Sequence, residues 1–90
     1  MAERTVKIAS ASGLHARPAS IFTKAAAEQP APVSIAKDGG PAVQASSILS
    51  LMTLGAVQGD EVTLRAEGDG AEEAVAALAE LLETDLDAHA

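Results

Sequence analysis

Residues 60–82, DEVTLRAEGDGAEEAVAALAELL, contain the pattern that decides the fold. Polar and apolar residues alternate from Asp60 to Ala66, which is typical of a strand with one buried face. Asp69 then stands before a run of apolar residues at helical spacing, and together with Glu72 it predicts a capping box. The apolar stripe of this helix comprises Ala74, Val75, Leu78, Leu81 and Leu82. A strand followed closely by an amphipathic helix predicts a helix layer packed on a sheet.

The rest of the chain supplies three more strands and two more helices. We expect strands over Thr5–Ile8, Val33–Ile35 and around 42–44, a helix over 16–28, and a tight hairpin at Asp38-Gly39-Gly40. Ser46 and Ser47 precede a short helix over 48–54 that ends at Gly55. The order βαββαβα predicts an α+β fold in which a four-stranded, mainly antiparallel sheet carries three helices on one face. We expect residues 1–90 to form one domain.

The composition limits the chemistry that the chain can support. Of its 90 residues 48% are apolar, Phe22 is the only aromatic residue and cysteine is absent. A disulfide, a thiol nucleophile and a thiolate metal site are therefore excluded, and His15 and His89 alone would hold a metal poorly. We expect no metal and no cofactor. No apolar run has the length of a membrane span, so we also expect no membrane insertion and a cytoplasmic protein.

Charge is distributed unevenly along the chain. The net charge of -7 argues against a nucleic-acid partner, since binding to phosphate backbones needs clustered basic residues. Residues 4–24 contain Arg4, Lys7, Arg17 and Lys24 and no acidic residue, whereas residues 67–87 contain many acidic residues and no base. The basic end therefore suits a phosphate or an acidic protein surface.

The segment Gly13-Leu14-His15-Ala16-Arg17-Pro18 places an imidazole beside the predicted start of a helix. The first amide groups of a helix have no partner within it, so they attract anions. A phosphoryl group on His15 would lie against the amides of Ala16 and Arg17, within reach of the Arg17 guanidinium. Pro18 is tolerated only in the first turn, where it fixes the backbone. An isolated His-x-Arg is more often an ordinary surface segment, so the residues alone leave both interpretations open.

The stretch from Ser12 to Pro18 resembles the active-site signature of the HPr family, the histidine-containing phosphocarriers of the bacterial phosphotransferase system. Residues 47–55, SILSLMTLG, are similar to the regulatory-serine segment of that family, and residues 58–63, QGDEVT, resemble the turn and strand after it. The resemblance spans nearly the whole chain and implies an open-faced β-sandwich. It implies a carrier rather than a turnover enzyme. It further implies that Enzyme I, phosphorylated by phosphoenolpyruvate, passes the group to Nδ1 of His15, and that the carrier delivers it to Enzyme IIA during sugar uptake.

Two further surfaces are candidates for partner binding. Arg17 and Lys24 are seven residues apart and so share one stripe of the first helix. Ser20 and Thr23, near the same face, are interpreted as ordinary solvent-exposed positions. We expect this face to meet whatever docks over His15, and we expect acidic partners there. In the family that the chain resembles, positions matching the second helix contact Enzyme I and Enzyme IIA.

The second helix is apolar on more sides than one core contact needs. If Leu51 and Leu54 point inward, then Ile48, Leu49 and Met52 form an exposed docking patch. From the residues alone it is equally acceptable that all three are core. The resemblance favours docking.

Ser47 aligns with the regulatory serine of the family, although counting forward from His15 would select Ser46. Its role as a helix cap explains a serine there without phosphorylation. Ser46 stands where the family usually has a lysine, and Ser50 stands where it has glycine or a basic residue, which puts regulation by a kinase in doubt. Ala27 replaces a residue that is commonly basic, which puts some partner contacts in doubt.

Other functions compete with sugar transport. A carrier for a nitrogen-related branch or for a dihydroxyacetone kinase would share the chemistry of His15. A regulator that binds a transcription factor or enzyme without transferring phosphate, and a plain interaction domain, are alternatives of a different class. We expect a monomer.

Overall fold

The computed structural model describes residues 2–9, 16–37 and 40–84, with the backbone alone for residues 16–18. Within these ranges the elements follow the predicted order: β1 Ala2–Lys7, α1 Ala16–Ala27, β2 Val33–Lys37, β3 Val43–Gln44, α2 Ile48–Thr53, β4 Glu61–Ala66 and α3 Ala71–Leu82. The strands form one sheet in the order β1-β4-β2-β3, and its pairings are antiparallel. The predicted α+β fold is confirmed. Of the hairpin predicted at Asp38-Gly39-Gly40, Asp38 and Gly39 lie outside the described residues. The Gly40 amide donates to the Lys37 carbonyl at 2.8 Å, and the positive φ predicted for Gly40 is not found.

Strand β4 joins the two halves of the sheet. It pairs with β1 on one side and with β2 on the other. Val62 and Leu64 are fully buried and face the helices, whereas Thr63 and Arg65 point to the opposite, open face of the sheet. On that face Arg65 binds Glu3 at 2.9 Å between Nε and Oε2. The alternation therefore separates a core face from a polar face, as the sequence predicts.

The core lies between the sheet and the helices and is built largely from small side chains. The buried residues of α1 and α3 are Ala19, Phe22, Thr23, Ala26, Ala71, Ala74, Val75, Leu78, Ala79 and Leu82. Helix α3 packs on β1, β2 and β4, and α1 packs on α2 and α3. The end of α3 meets the end of β1, where the Ala9 amide donates to the Leu82 carbonyl at 3.0 Å. Alanine on the facing sides lets the helices lie close to the sheet.

The start of α3 differs from the prediction. Asp69 is not the cap: Gly70 occupies the N-cap position with φ of +82°, and it makes no side-chain capping bond. A Cβ atom on Gly70 would lie 2.7 Å from Cγ of Pro30, which is too close for any side chain. Glycine is therefore required here both by the left-handed backbone and by the contact with Pro30.

Lys37 and Asp60 form an ion pair that links the end of β2 to the start of β4. The Lys37 Nζ atom lies 3.2 Å from Asp60 Oδ2 and donates to the Gly55 carbonyl at 3.1 Å. Asp60 Oδ2 also accepts the Val57 amide at 3.0 Å. The bond from Val57 and the Lys37 charge lower the pKa of the Asp60 carboxyl, and desolvation opposes them. We call these two residues the Lys37–Asp60 pair.

Replacing Gly70 with alanine should destabilise the fold more than the same change at Gly59. Both glycines have positive φ, +82° and +89°, but only Gly70 has a neighbour within 4 Å of the added Cβ. We expect Gly59→Ala to cost about 1–2 kcal/mol for the backbone conformation and Gly70→Ala at least about 1 kcal/mol more for the contact with Pro30. Urea unfolding followed by far-UV circular dichroism measures both, since the chain has no Trp or Tyr. Equal losses would contradict the steric argument.

The stabilising effect of Asp60 should depend on pH. Because its pKa is lowered in the folded state, ionised Asp60 stabilises the fold above its ordinary pKa of about 3.9, and this contribution is lost as the pH falls through the lower, folded value. Wild type should therefore be more stable than Asp60→Asn at neutral pH, and the difference should shrink in acid. Denaturant unfolding between pH 7 and pH 2 measures it, with Glu80→Gln on the exposed side of α3 as the control. A difference that stays constant with pH would refute the assignment.

Candidate functional site

Helix α1 begins at Ala16, the residue that follows His15 in the sequence. Its first amide groups have no partner within the helix and form the positive end of the helix dipole. The first turn holds no acidic residue that would offset this positive end. The predicted helix start beside His15 is confirmed, with Pro18 in the first turn. Ser12 and His15 themselves lie outside the described residues, as does the side chain of Arg17.

The next turns of α1 carry one exposed charged group, on Lys24, and one buried hydroxyl, on Thr23. Lys24 and Ser20 are exposed, as predicted. The prediction for Thr23 was wrong, because its side chain is only 9% exposed and its hydroxyl donates to the Ser20 carbonyl at 3.1 Å. A hydroxyl that bonds to its own helix no longer needs water, so Thr23 can pack against the core beside Phe22.

Three exposed apolar side chains lie on α2, and we call them the α2 patch: Ile48, Leu49 and Met52. Their exposed fractions are 40%, 76% and 42%. Leu51 is fully buried and Leu54 is partly buried against the core, so the inward side of α2 is already filled. Of the two interpretations that the sequence leaves open, the structure supports the exposed patch. Contiguous exposed apolar groups on a small protein usually mark an interaction surface.

Ser47 is the N-cap of α2. Its backbone is extended, with φ of -102° and ψ of 112°, and its hydroxyl accepts the Ser50 amide at 3.4 Å. The Ser47 carbonyl accepts the first helical bond, from Leu51, at 2.9 Å. The predicted capping role therefore belongs to Ser47 and not to Ser46. Such a cap typically stabilises a helix by about 1 kcal/mol.

The segment after α2 is held by side-chain contacts that the sequence did not indicate. Gly55 turns the chain with φ of +68°, and the Lys37–Asp60 pair binds the carbonyl of Gly55 and the amide of Val57. The side chain of Val57 is 49% exposed. Lys37 and Asp60 are far apart in the sequence, so their contact follows from the register of β2 and β4. The only local signal was Gly59-Asp60 directly before a strand.

Among residues 2–9, 16–37 and 40–84, no cluster of three or more His, Cys, Asp or Glu side chains could hold a metal ion. In the described part of the chain, none of the helices has the length and apolar character needed to cross a bilayer.

Comparison with known proteins gives one consistent family. The model of the family "PTS HPr component phosphorylation site" matches residues 2–84. The phosphocarrier protein HPr of Streptomyces coelicolor is 50% identical over 82 residues, which are 91% of this chain and 88% of the relative. A crystal structure of HPr from Thermoanaerobacter tengcongensis superposes with a TM-score of 0.89 at 42% identity and covers 97% of both chains. A structure described as an HPr dimer from the same organism has a TM-score of 0.70 at 44% identity, covering 92% of this chain and 94% of that one.

These matches span nearly the whole described chain and agree in sequence and in fold. Their sequence identities of 42–50% are well above the level at which only the fold would be shared. The chain belongs to the HPr family of the phosphotransferase system, and its function is that of a phosphocarrier protein.

Proposed function

We propose that His15 is the phosphoryl acceptor of this carrier. Its Nδ1 atom attacks the phosphorus of phospho-Enzyme I, so that a new P–N bond forms as the bond in the donor breaks. The group then leaves His15 for Enzyme IIA, and the imidazole returns to its free state. The carrier is consumed and regenerated stoichiometrically rather than turning over a substrate of its own, and it needs no cofactor.

The observation that carries this proposal is the start of α1 at Ala16, directly after His15, with no acidic residue in the first turn. The amides of Ala16 and Arg17 belong to that turn, where amide groups have no helical partner and favour an anion. The Arg17 guanidinium would add charge-assisted bonds to phosphate oxygens. Two amides and one guanidinium hold the phosphoryl group only moderately, which suits reversible transfer. Tighter binding would oppose the release of the phosphoryl group to the acceptor.

The docking surface of the proposed carrier consists of the α2 patch and Lys24. Helices α1 and α2 pack on each other, so Lys24 and the α2 patch lie on neighbouring elements. Enzyme I and Enzyme IIA are the partners that we propose, each with an apolar site for the patch and acidic groups for Arg17 and Lys24. Charge complementarity of this kind mainly increases the rate of association.

We also propose that the chain acts as one domain and as a monomer in the cytoplasm, where donor and acceptor proteins meet it in turn. Ser47 stays a candidate site for a regulatory kinase. A phosphate at the start of α2 would lie beside the patch and repel an acidic partner. The capping bond to Ser50 accounts for this serine in the absence of a kinase.

His15→Ala should abolish phosphorylation. Incubation of the wild type with phosphoenolpyruvate and Enzyme I should add one phosphoryl group that is lost in mild acid, as expected for a P–N bond. Intact-mass spectrometry measures the product. His89→Ala is the matched control and should be phosphorylated like the wild type. An adduct on His15→Ala, or none on the wild type with a competent Enzyme I, would refute the proposal.

Leu49→Ala should weaken docking without harming the fold. Leu49 is 76% exposed, so its truncation should change the free energy of unfolding by less than about 0.5 kcal/mol. Loss of an interface anchor should raise the KM of Enzyme I for the carrier by about fivefold or more. Glu61→Ala, an exposed change on β4, serves as control and should leave the KM unchanged. An unchanged KM in Leu49→Ala would remove Leu49 from the docking surface.

A further inference from the structure

We propose that Lys37 and Asp60 are positioning residues for the docking surface. The Lys37–Asp60 pair fixes residues 55–57, which continue from the α2 patch, and holds the exposed side chain of Val57 beside that patch. The pair would thus set the affinity of the carrier for Enzyme I through the backbone it holds. This inference rests on the docking role proposed above.

The pair holds the segment at both of its ends. Lys37 Nζ donates to the Gly55 carbonyl at 3.1 Å, and Asp60 Oδ2 accepts the Val57 amide at 3.0 Å. The two side chains bind each other at 3.2 Å and are 31% and 25% exposed. Because both are partly buried, solvent screens this pair less than a pair on the open surface. The segment between Gly55 and Val57 is therefore held by two charged groups, one at the end of β2 and one directly before β4.

The same segment is continuous with the α2 patch. The Gly55 amide donates to the Met52 carbonyl at 3.3 Å, so Gly55 closes the last turn of α2. Met52 belongs to the patch, and Val57 follows two residues after Gly55 with its side chain 49% exposed. The Val57 amide donates to the Asp60 side chain, the Val57 carbonyl accepts the Asp60 amide at 3.0 Å, and the neighbouring Ala56 is buried. Of these contacts only the first belongs to the pair. Val57 thus adds an exposed apolar side chain shortly after the end of α2.

The segment is also tied to the end of β1, from which the chain continues to His15. The Gly59 amide donates to the Ile8 carbonyl at 2.9 Å, and the Ile8 amide donates to the Asp60 carbonyl at 3.0 Å. Gln58 Nε2 donates to the Ala9 carbonyl at 3.2 Å. Residues 58–60 are therefore bonded to β1, and from them the Asp60 side chain reaches the Val57 amide. The Asp60 amide also donates to the Val57 carbonyl at 3.0 Å. A change in the pair should therefore loosen the Gly55 carbonyl and the Val57 amide and leave the bonds to β1 in place.

The experiment measures KM and kcat of Enzyme I with each carrier variant as the substrate. We expect Lys37→Met and Asp60→Ala to raise the KM by about threefold or more with an unchanged kcat, because each weakens docking and leaves the transfer step intact. Lys37→Arg, which keeps the charge and the donors, should stay near the wild-type KM. The kinetics are measured at a temperature at which circular dichroism shows that every variant is folded. Faster hydrogen exchange of the Val57 amide in Asp60→Ala would show that the segment is released.

Glu3→Gln is the matched control, because it removes the other ion pair described, which lies on the open face of the sheet with Arg65 at 2.9 Å. A KM that rises equally in Glu3→Gln, that stays unchanged in both test variants, or that stays unchanged while kcat falls overturns the positioning role. These results differ from failure of the proposed function itself, in which the wild type would receive no phosphoryl group from Enzyme I.

Discussion

The pairing of β4 with two strands that are distant in the sequence is the constraint on which the other features depend. β1 lies at the start of the chain and β2 follows α1, yet both form ladders with β4. A shift of the β4 register by one residue would turn Val62, Leu64 and Ala66 to the open face and bring Thr63 and Arg65 into the core. The cost of burying those polar groups fixes the register. Helix α3 then covers β1, β4 and β2 on the one face that is apolar.

Once the sheet and α3 are set, little apolar surface is left for α2 to cover. This helix has only six residues, and Leu51 is its one buried side chain. A helix anchored by so little must present its remaining apolar residues outward. The backbone on either side of α2 is held by the buried side chains of Ala45 and Ala56 and by polar contacts, which are the Ser47 cap at the start of α2 and the Lys37–Asp60 pair after its end. The exposure of the α2 patch therefore follows from the shortness of α2.

Much of the fold and part of the site could be predicted from the sequence. Periodicity identified α1 and α3 to within a residue or two, because a helix that buries Phe22 or Leu78 must repeat its apolar residues every three or four positions. The first strand was placed too late, since the run Glu3-Arg4 carries no alternation although Ala2 pairs with Ala66. The cap of α3 was misplaced because Gly70 is selected by contact with Pro30, a tertiary neighbour. The burial of Thr23 and the contact between Lys37 and Asp60 also depend on residues that are distant in the sequence, so local patterns could not predict them.

The helical spacing of the apolar residues after Ala16, with Pro18 acceptable only in a first turn, predicted that α1 starts beside His15. Whether Ile48, Leu49 and Met52 were core or surface could not be decided locally, since it depends on how much of the sheet the other helices cover.

The contact between Ala9 and Leu82 has a consequence for anyone who attaches a tag or a fluorophore to this carrier. The chain leaves α3 beside the exit of β1, the end of the sheet from which it runs on to α1. The other terminus enters at Ala2, a strand length of roughly 17–20 Å away. A group joined directly before Ala2 therefore starts at the far end of the sheet, whereas a group joined directly after α3 starts at the end from which the chain runs on to α1. For designs that must leave the start of α1 free, attachment before β1 is the better choice.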